Sequence, residues 1–491
     1  MQARNACPRS IKATHSMRAD SNSMMGRPLS RIERAGCGWK CAVLLDAAQG
    51  ARERESAFDL VQAALRRETR LICLQSPQLP TTTEIGVFLT MLGMIASPAW
   101  AADVTEQGPD ETFIPYVRAL YGYDSNLFRL QNDQEARAVL RTSNTAESYL
   151  MLGAGMDANL KMSRQTIQAH IELNQTRFNT YSQLDNDGHD ANLKWAWKVG
   201  SRATGDISVA DTLKQASYTN VKQPVKNQIR TRRGGLNGAI QLTRPWQVQF
   251  GMESVRTNND AAAQLPQDAT VDALKAGLQY RSDKGSTVAW ISRRSEGRYP
   301  NRQLIGVMAV DNDYQQWDNG VVAVWKLSEK TSMTGKLNFT QRGYTDVPQR
   351  DFSGLTGLLS LGWNATEKTT LNASTYRDID AIENSAIENT TASYALNQGV
   401  AVSADWKPTA KLTFSTRLSH DHIEYTGDPG IALSTQAARE DRLTMAQAGL
   451  QYTVLRNTQI ELMLRRGVRH SNEALESYRY SSALINLSSH F

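Results

Sequence analysis

The chain has 491 residues, 40% of them hydrophobic and 21% charged, a balance that excludes ordinary disorder. Its mean hydropathy of −0.47 excludes a bundle of membrane helices, each of which needs about 20 consecutive apolar residues. The net charge of +6 invites a nucleic-acid reading, and the four cysteines invite a disulfide or zinc reading. Both depend on where those residues sit along the chain.

Residues 1–83 have mixed composition and no clear periodicity. They read as an N-terminal extension, unstructured or produced by a mis-assigned start. One apolar run follows, from Ile85 to Ser97. At about 13 residues it is too short to span a bilayer but matches the core of a signal peptide. Ala99-Trp100-Ala101 supplies a small-residue cleavage pattern, so residues 84–101 read as a signal peptide cut after Ala101. Such cores ordinarily begin within about 30 residues of the start. Translation is therefore expected to begin downstream of Met1, the alternative being an unusually long leader.

Cys7, Cys37, Cys41 and Cys73 all precede the expected cut, so no disulfide framework or cysteine zinc site can form in the mature chain. Residues 1–101 hold 13 basic and 8 acidic side chains, leaving 42 and 41 beyond them. The near-neutral remainder gives no support to nucleic-acid binding, and no nucleic-acid partner is expected.

Residues 102–112 read as a short periplasmic segment, and residues 113–491 as strands. Trp246, Val248, Phe250 and Met252 alternate with Gln247, Gln249, Gly251 and Glu253. The same period of two recurs at Leu274–Arg281, Met333–Arg342 and Lys411–Leu418. Short turns are expected at Lys161–Arg164, Gly200–Arg202, Arg244–Pro245, Ser282–Gly285, Ser328–Thr331, Thr366–Thr369, Lys407–Ala410 and Leu455–Thr458, with longer polar loops between them. Eight hairpins plus a first strand near Phe113–Tyr123 and a last near Tyr478–Phe491 predict about 18 strands, with 16 as the alternative. The expected fold is all-β, a transmembrane antiparallel β-barrel of the outer-membrane kind, because only a closed sheet satisfies every backbone group in hydrocarbon. A soluble sandwich would not regularly alternate short and long connections.

Trp197, Trp325, Trp363, Trp406 and Tyr452 fall just before short turns, and Trp246 just after one. Together they predict a periplasmic aromatic girdle. The chain ends on a strand with a terminal aromatic, Phe491, which shares a face with Ala483, Ile485 and Leu487. That ending resembles the signal by which bacterial outer-membrane barrels are recognised for assembly, although Ser489 replaces the usual hydrophobic choice.

The polar faces define a candidate lumen. Its basic members are Lys194, Lys198, Lys275, Arg281, Arg293, Lys336, Arg342, Arg417, Arg465 and Arg469; its acidic members are Glu172, Asp206, Glu253, Asp378, Asp405 and Glu461. Gln247, Gln249, Gln279, Asn338, Asn372, Tyr376, Asn397, Gln447 and Gln451 add hydrogen-bonding groups. Such a lining suits a wetted path for sugars or anions. Equally, these groups can pair across strands and hold the wall. The loop from Asp124 to Ala146 carries a helix-compatible stretch, Glu135–Arg141, and can fold inward to narrow the pore or outward as plain surface. Catalytic constellations are thin. His420 and His422 share a strand face with no third ligand at a fixed spacing, no serine is distinguished, and no phosphate-binding glycine loop occurs. No catalytic, cofactor-binding or metal site is expected.

The segment Gly122-Tyr-Asp-Ser-Asn-Leu-Phe-Arg129, opening the barrel after a signal peptide, resembles the EpsL-type outer-membrane proteins of exosortase-associated exopolysaccharide clusters, within a wider class of β-barrel porins. The resemblance implies a non-enzymatic role in exopolysaccharide biosynthesis, with the polymer leaving through the barrel. It also implies outer-membrane lipid, the polysaccharide chain, the barrel-assembly machinery and periplasmic or inner-membrane export components as partners. The competing expectations are a general diffusion porin for small solutes and an outer-membrane enzyme or adhesin.

Overall fold

In the computed structural model the described residues are 112–491, except 220, 306–307, 382–393 and 427–437. The expected extension (1–83), the expected signal peptide (84–101) and all but residue 112 of the expected periplasmic segment (102–112) lie outside them.

Alternating sequence gives strands because successive side chains of an extended backbone point to opposite faces. The first half contributes β1 (Phe113–Asp124), β2 (Glu147–Met162), β3 (Gln165–Phe178), β4 (Asn186–Val199), β5 (Ala203–Gln215), β6 (Gln228–Gln241), β7 (Trp246–Asn259), β8 (Ala269–Arg281) and β9 (Thr287–Arg298). A small separate hairpin, β10 (Gln303–Ile305) and β11 (Met308–Val310), follows. The second half contributes β12 (Tyr314–Lys326), β13 (Thr331–Tyr344), β14 (Phe352–Thr366), β15 (Thr369–Ala381), β16 (Tyr394–Thr409), β17 (Leu412–Thr426), β18 (Glu440–Leu455), β19 (Thr458–Ser471) and β20 (Tyr478–His490).

Leaving out β10 and β11, these form one 18-stranded sheet. Every pairing is antiparallel, and β1 closes the ring by pairing with both β2 and β20, with Tyr116 opposite Gly155 on one side and His490 on the other. The expected barrel of 18 strands is what forms. Closure removes the sheet edge, which is what permits a β structure in hydrocarbon. No described helix is long and apolar enough to cross a membrane. The one α-helix among the described residues, α1 (Asp133–Leu140), lies in the loop between β1 and β2 and is capped by Asn132, whose side chain accepts from the amides of Gln134 and Glu135.

The two faces separate by chemistry. On β13, Leu337 and Phe339 are 59% and 46% exposed, while the intervening Asn338, Thr340 and Arg342 are buried. Leu274, Leu355, Leu359, Val400 and Val402 are likewise exposed apolar side chains on strands. A soluble protein would bury such a band. A barrel presents it to lipid and turns the polar positions inward.

Seven of the eight short turns fall where the sequence places them, the eighth lies at Ala410–Lys411 because β16 continues to Thr409, and nine longer connections join the opposite strand ends. Glycine is required at one wall position in particular. The ring of Tyr116 lies across Gly155, where an added Cβ would meet the Ile171 carbonyl oxygen at 2.5 Å and the Tyr116 ring at 2.6 Å.

Candidate functional site: the polar interior and the loops across its mouth

The face opposite the exposed apolar side chains carries the sequence-named positions. The register sets Lys194 beside Gln168, Lys275 beside Arg293, Lys336 beside Val322, and Arg417 beside both Ser403 and Gln447. Gln249 donates to Gln279 at 2.7 Å, and Arg465 donates weakly to Gln447 at 3.4 Å. Lys194, Lys198, Arg281 and Arg417 have no ion-pair partner within 4 Å among the described residues. Gln451 bonds Gln459 at 2.7 Å.

Much of the remaining charge is engaged across strands. Glu253 lies 3.4 Å from Arg233 and 3.9 Å from Arg293, and Arg293 lies 3.6 Å from Asp318. Asp318 accepts from Thr340 and Gln316, and Gln316 in turn accepts from Arg342 at 2.7 Å. Arg342 is buried and lies over the ring of Tyr314, 4.3 Å from its centroid. This side chain braces the wall. On the other side of the ring, Glu172 accepts from Tyr116 at 2.8 Å and from Arg118 at 2.5 Å, and His170 meets Asp157 at 2.7 Å. Asp157 and Asp318, which supply part of this pairing, are not among the lumen positions read from the sequence.

Trp246, Trp325, Trp363, Trp406 and Tyr452 are 41–54% exposed and stand at the short-turn ends of their strands. Trp197 is partly covered, and Trp195 beside it is 44% exposed. Tyr280, opposite Trp246, joins it edge to face at 5.2 Å. Phe491 is exposed, and its amide donates to Pro115, tying the chain end to the start of β1. His420 is exposed and bonds Thr444, whereas Asp421 faces the opposite way, toward Tyr376 and Ser419. No group of three or more metal-capable side chains occurs among the described residues.

The long-loop end holds an arrangement that sequence reading did not reveal. Lys222, in the connection between β5 and β6, is 7% exposed at its side chain. It donates to the carbonyl of Leu475 and lies 3.6 Å from Glu135 of α1 and 3.8 Å from Glu476. Glu476 also accepts from Arg439 at 2.9 Å and from Arg469, and Asp441 pairs with Arg439 at 2.8 Å and Arg469 at 3.5 Å. Three buried cations and three buried carboxylates thus draw together the loops after β1, β5 and β19 with Arg439, just before β18. From β5 to β20 is five strand spacings, roughly 25 Å along the wall. Contact between these loops means that they span that stretch of the long-loop end. Burial holds Lys222 below the ordinary lysine range, opposed by the nearby Glu476 and Glu135 carboxylates.

The segment Gly122–Arg129 leads from β1 into this arrangement. Gly122 admits the ring of Tyr149, which a Cβ would overlap. Asp124 accepts from the Asn126 amide and, through both oxygens, from Arg129 at 2.8 and 2.9 Å. Asn126 bridges to Leu130 and Arg479. Arg129, at φ 58°, lies 3.6 Å from the ring centroid of inward-facing Tyr480. Phe128 is fully buried, edge to face with Tyr181 at 5.0 Å and Tyr218 at 4.9 Å. The loop therefore packs on the loops after β3 and β5 and on the start of β20.

The C-terminal third of the chain, residues 324–491, matches the family described as "Putative beta-barrel porin 2". The chain forms a porin-like β-barrel. Solved structures with similar chain paths include OpdK of Pseudomonas aeruginosa, at 10% identity over 77% of this chain and 99% of that one, with a TM-score of 0.41. OpdQ of the same organism gives 11% identity, 77% and 97% coverage and a TM-score of 0.42. The alcaligin outer-membrane receptor FauA of Bordetella pertussis gives 11%, 78%, 77% and 0.40. No curated protein matches the chain.

Proposed function

We propose that this barrel is a passive pore of the bacterial outer membrane for polar solutes, with its outer mouth narrowed by the loops after β1, β5 and β19. The observation that carries the reading is the division of one closed wall into an exposed apolar face and an enclosed face of cross-paired charges and amides. Water-filled barrels need that division, and shallow, repeated polar contacts suit conduction. The reading includes cleavage near Ala101, an aromatic girdle at the periplasmic interface, and assembly signalled by Phe491.

Export of an exopolysaccharide chain is the more specific reading. It is favoured by the Gly122–Arg129 segment, whose residues resemble those of EpsL-type proteins and here build the loop after β1. A polymer would need the loops to part, whereas small solutes would pass beside them.

Planar-bilayer conductance of the purified protein tests the pore, and block by added polysaccharide separates the two cargoes. Discrete conductance steps blocked by an acidic or neutral polysaccharide favour export. Steps unaffected by polymer, with uptake of small sugars into liposomes, favour general diffusion. Absence of any conductance, with loops intact or cleaved, overturns the pore.

A further inference from the structure

On the outer wall, side chains at the long-loop end of β6 to β9 change from charged to apolar over a few residues. Arg232 on β6 lies directly opposite Arg256 on β7. Like charges so placed repel each other, and both side chains are exposed. Asp211, already bound by Arg230 at 2.5 Å, lies 3.4 Å from Arg232. Arg256 has no ion-pair partner within 4 Å among the described residues. Immediately below this pair, toward the short-turn end, an open groove of about 620 Å³ runs across the wall. It is floored by Leu236, Met252 and Leu274. It exists because Gly234 occupies an outward position where an added Cβ would meet nothing within 4 Å.

Other charges face the groove. Asp272 is engaged by Arg298 and by Ser254 at 2.6 Å, Glu296 lies opposite Asp272, and Arg294 stands over Trp317 at 5.7 Å. Asp272, Arg294 and Glu296 line the groove on its outward side, and Arg230, Arg232, Arg256, Arg298 and Asp211 lie on neighbouring outward positions.

We propose that this groove binds a phosphorylated, acylated lipid of the outer leaflet, its phosphate between Arg232 and Arg256 and an acyl chain along Leu236, Met252 and Leu274. An anion between two opposed guanidiniums converts their repulsion into two charge-assisted contacts. The neighbouring apolar floor supplies the second half of an amphipathic match. Near a membrane surface each such arginine changes affinity about fivefold. The inference rests on the outer-membrane placement proposed above.

The test uses the full-length barrel in detergent, with bisphosphorylated lipid A as probe, its dephosphorylated form and inorganic phosphate as comparators, and native mass spectrometry as readout. Binding of the phosphorylated lipid is expected to exceed that of the dephosphorylated form, and inorganic phosphate alone is not retained. The Arg232→Ser/Arg256→Ser pair is expected to weaken lipid binding about thirtyfold. Gly234→Leu fills the groove while keeping both arginines, and is expected to weaken it as well. Arg177→Ser, an outward arginine paired with Asp185 and Asp187 elsewhere, leaves it unchanged.

Equal binding of the two lipid forms, retention of phosphate without the acyl chains, or wild-type affinity in both groove variants overturns the proposal. Bilayer conductance of the same samples is measured in parallel. Pores that conduct normally without lipid selectivity sink this inference alone, whereas loss of conductance in wild-type protein sinks the pore reading itself.

Discussion

Replacing Glu476 with Gln tests whether the buried charges at the mouth hold the loops together. The carboxylate is 4% exposed and faces three cations, Lys222, Arg439 and Arg469. Glutamine keeps the size but removes the charge, leaving three buried cations against Glu135 and Asp441. Removing one partner from a buried ion pair costs about 3–5 kcal/mol, because the remaining charges stay desolvated without compensation. The barrel wall does not depend on this group, so the cost falls on loop closure. At 1.4 kcal/mol per tenfold, the lower figure raises the open-loop population about a hundredfold. Hydrogen exchange should accelerate by that factor in α1 and in residues 216–227, and bilayer conductance should rise. Lys214→Met is the control. It breaks the exposed Lys214–Asp190 pair at 2.9 Å, worth about 0–1 kcal/mol, and should leave both readouts near wild type. Unchanged exchange and conductance in Glu476→Gln, with the variant folded, would refute the lock.

Phe128→Ala removes a fully buried ring from the contacts with Tyr181 and Tyr218 and should cost about 3–5 kcal/mol of loop stability, read as faster exchange in residues 125–146. Leu359, 47% exposed on β14, should tolerate arginine poorly, losing about 2–4 kcal/mol in denaturant titrations in lipid, whereas Ser360→Arg on the enclosed face should alter conductance or ion selectivity with little loss. Equal losses at the two positions would contradict the assignment of faces. Lys222 also sets a pH trend. Its closed-state pKa lies below 10.5, so the open loops hold more protons between the two values and closure strengthens as pH rises through that window. Exchange of residues 216–227, corrected for intrinsic rate, should slow toward pH 10, and Lys222→Met should abolish the trend.

The wall was legible in the sequence because its information is local. Period-two alternation fixes which side of a strand is apolar, and short turns such as Ser282–Gly285 and Ser328–Thr331 mark where it reverses. Counting those turns yields 18 strands without knowledge of any contact. The partners of the interior charges are not local. Asp318 can be placed against Arg293 only when the register of β9 and β12 is known, and Asp421 and Asp157 acquire neighbours in the same way. A list of lumen positions read strand by strand therefore names Glu253 and Arg293 without showing that they pair, and leaves out Asp157 and Asp318.

The mouth lies furthest from local information. Glu135, Lys222, Arg439 and Glu476 are spread over more than 300 residues and sit in loops with no periodicity to read. What the sequence does carry is the segment Gly122–Arg129, whose residues make sense only as a folded turn: an aspartate that binds an arginine five residues on, an asparagine that bridges two carbonyls, and a phenylalanine that enters a core built by two other loops. A wall braced by cross-strand pairs resists deformation, whereas loops joined by six buried charges are expected to part only when those charges are rehydrated. Regulation of passage is thus expected to act on the loops, and variants of the enclosed wall to tune what passes rather than when.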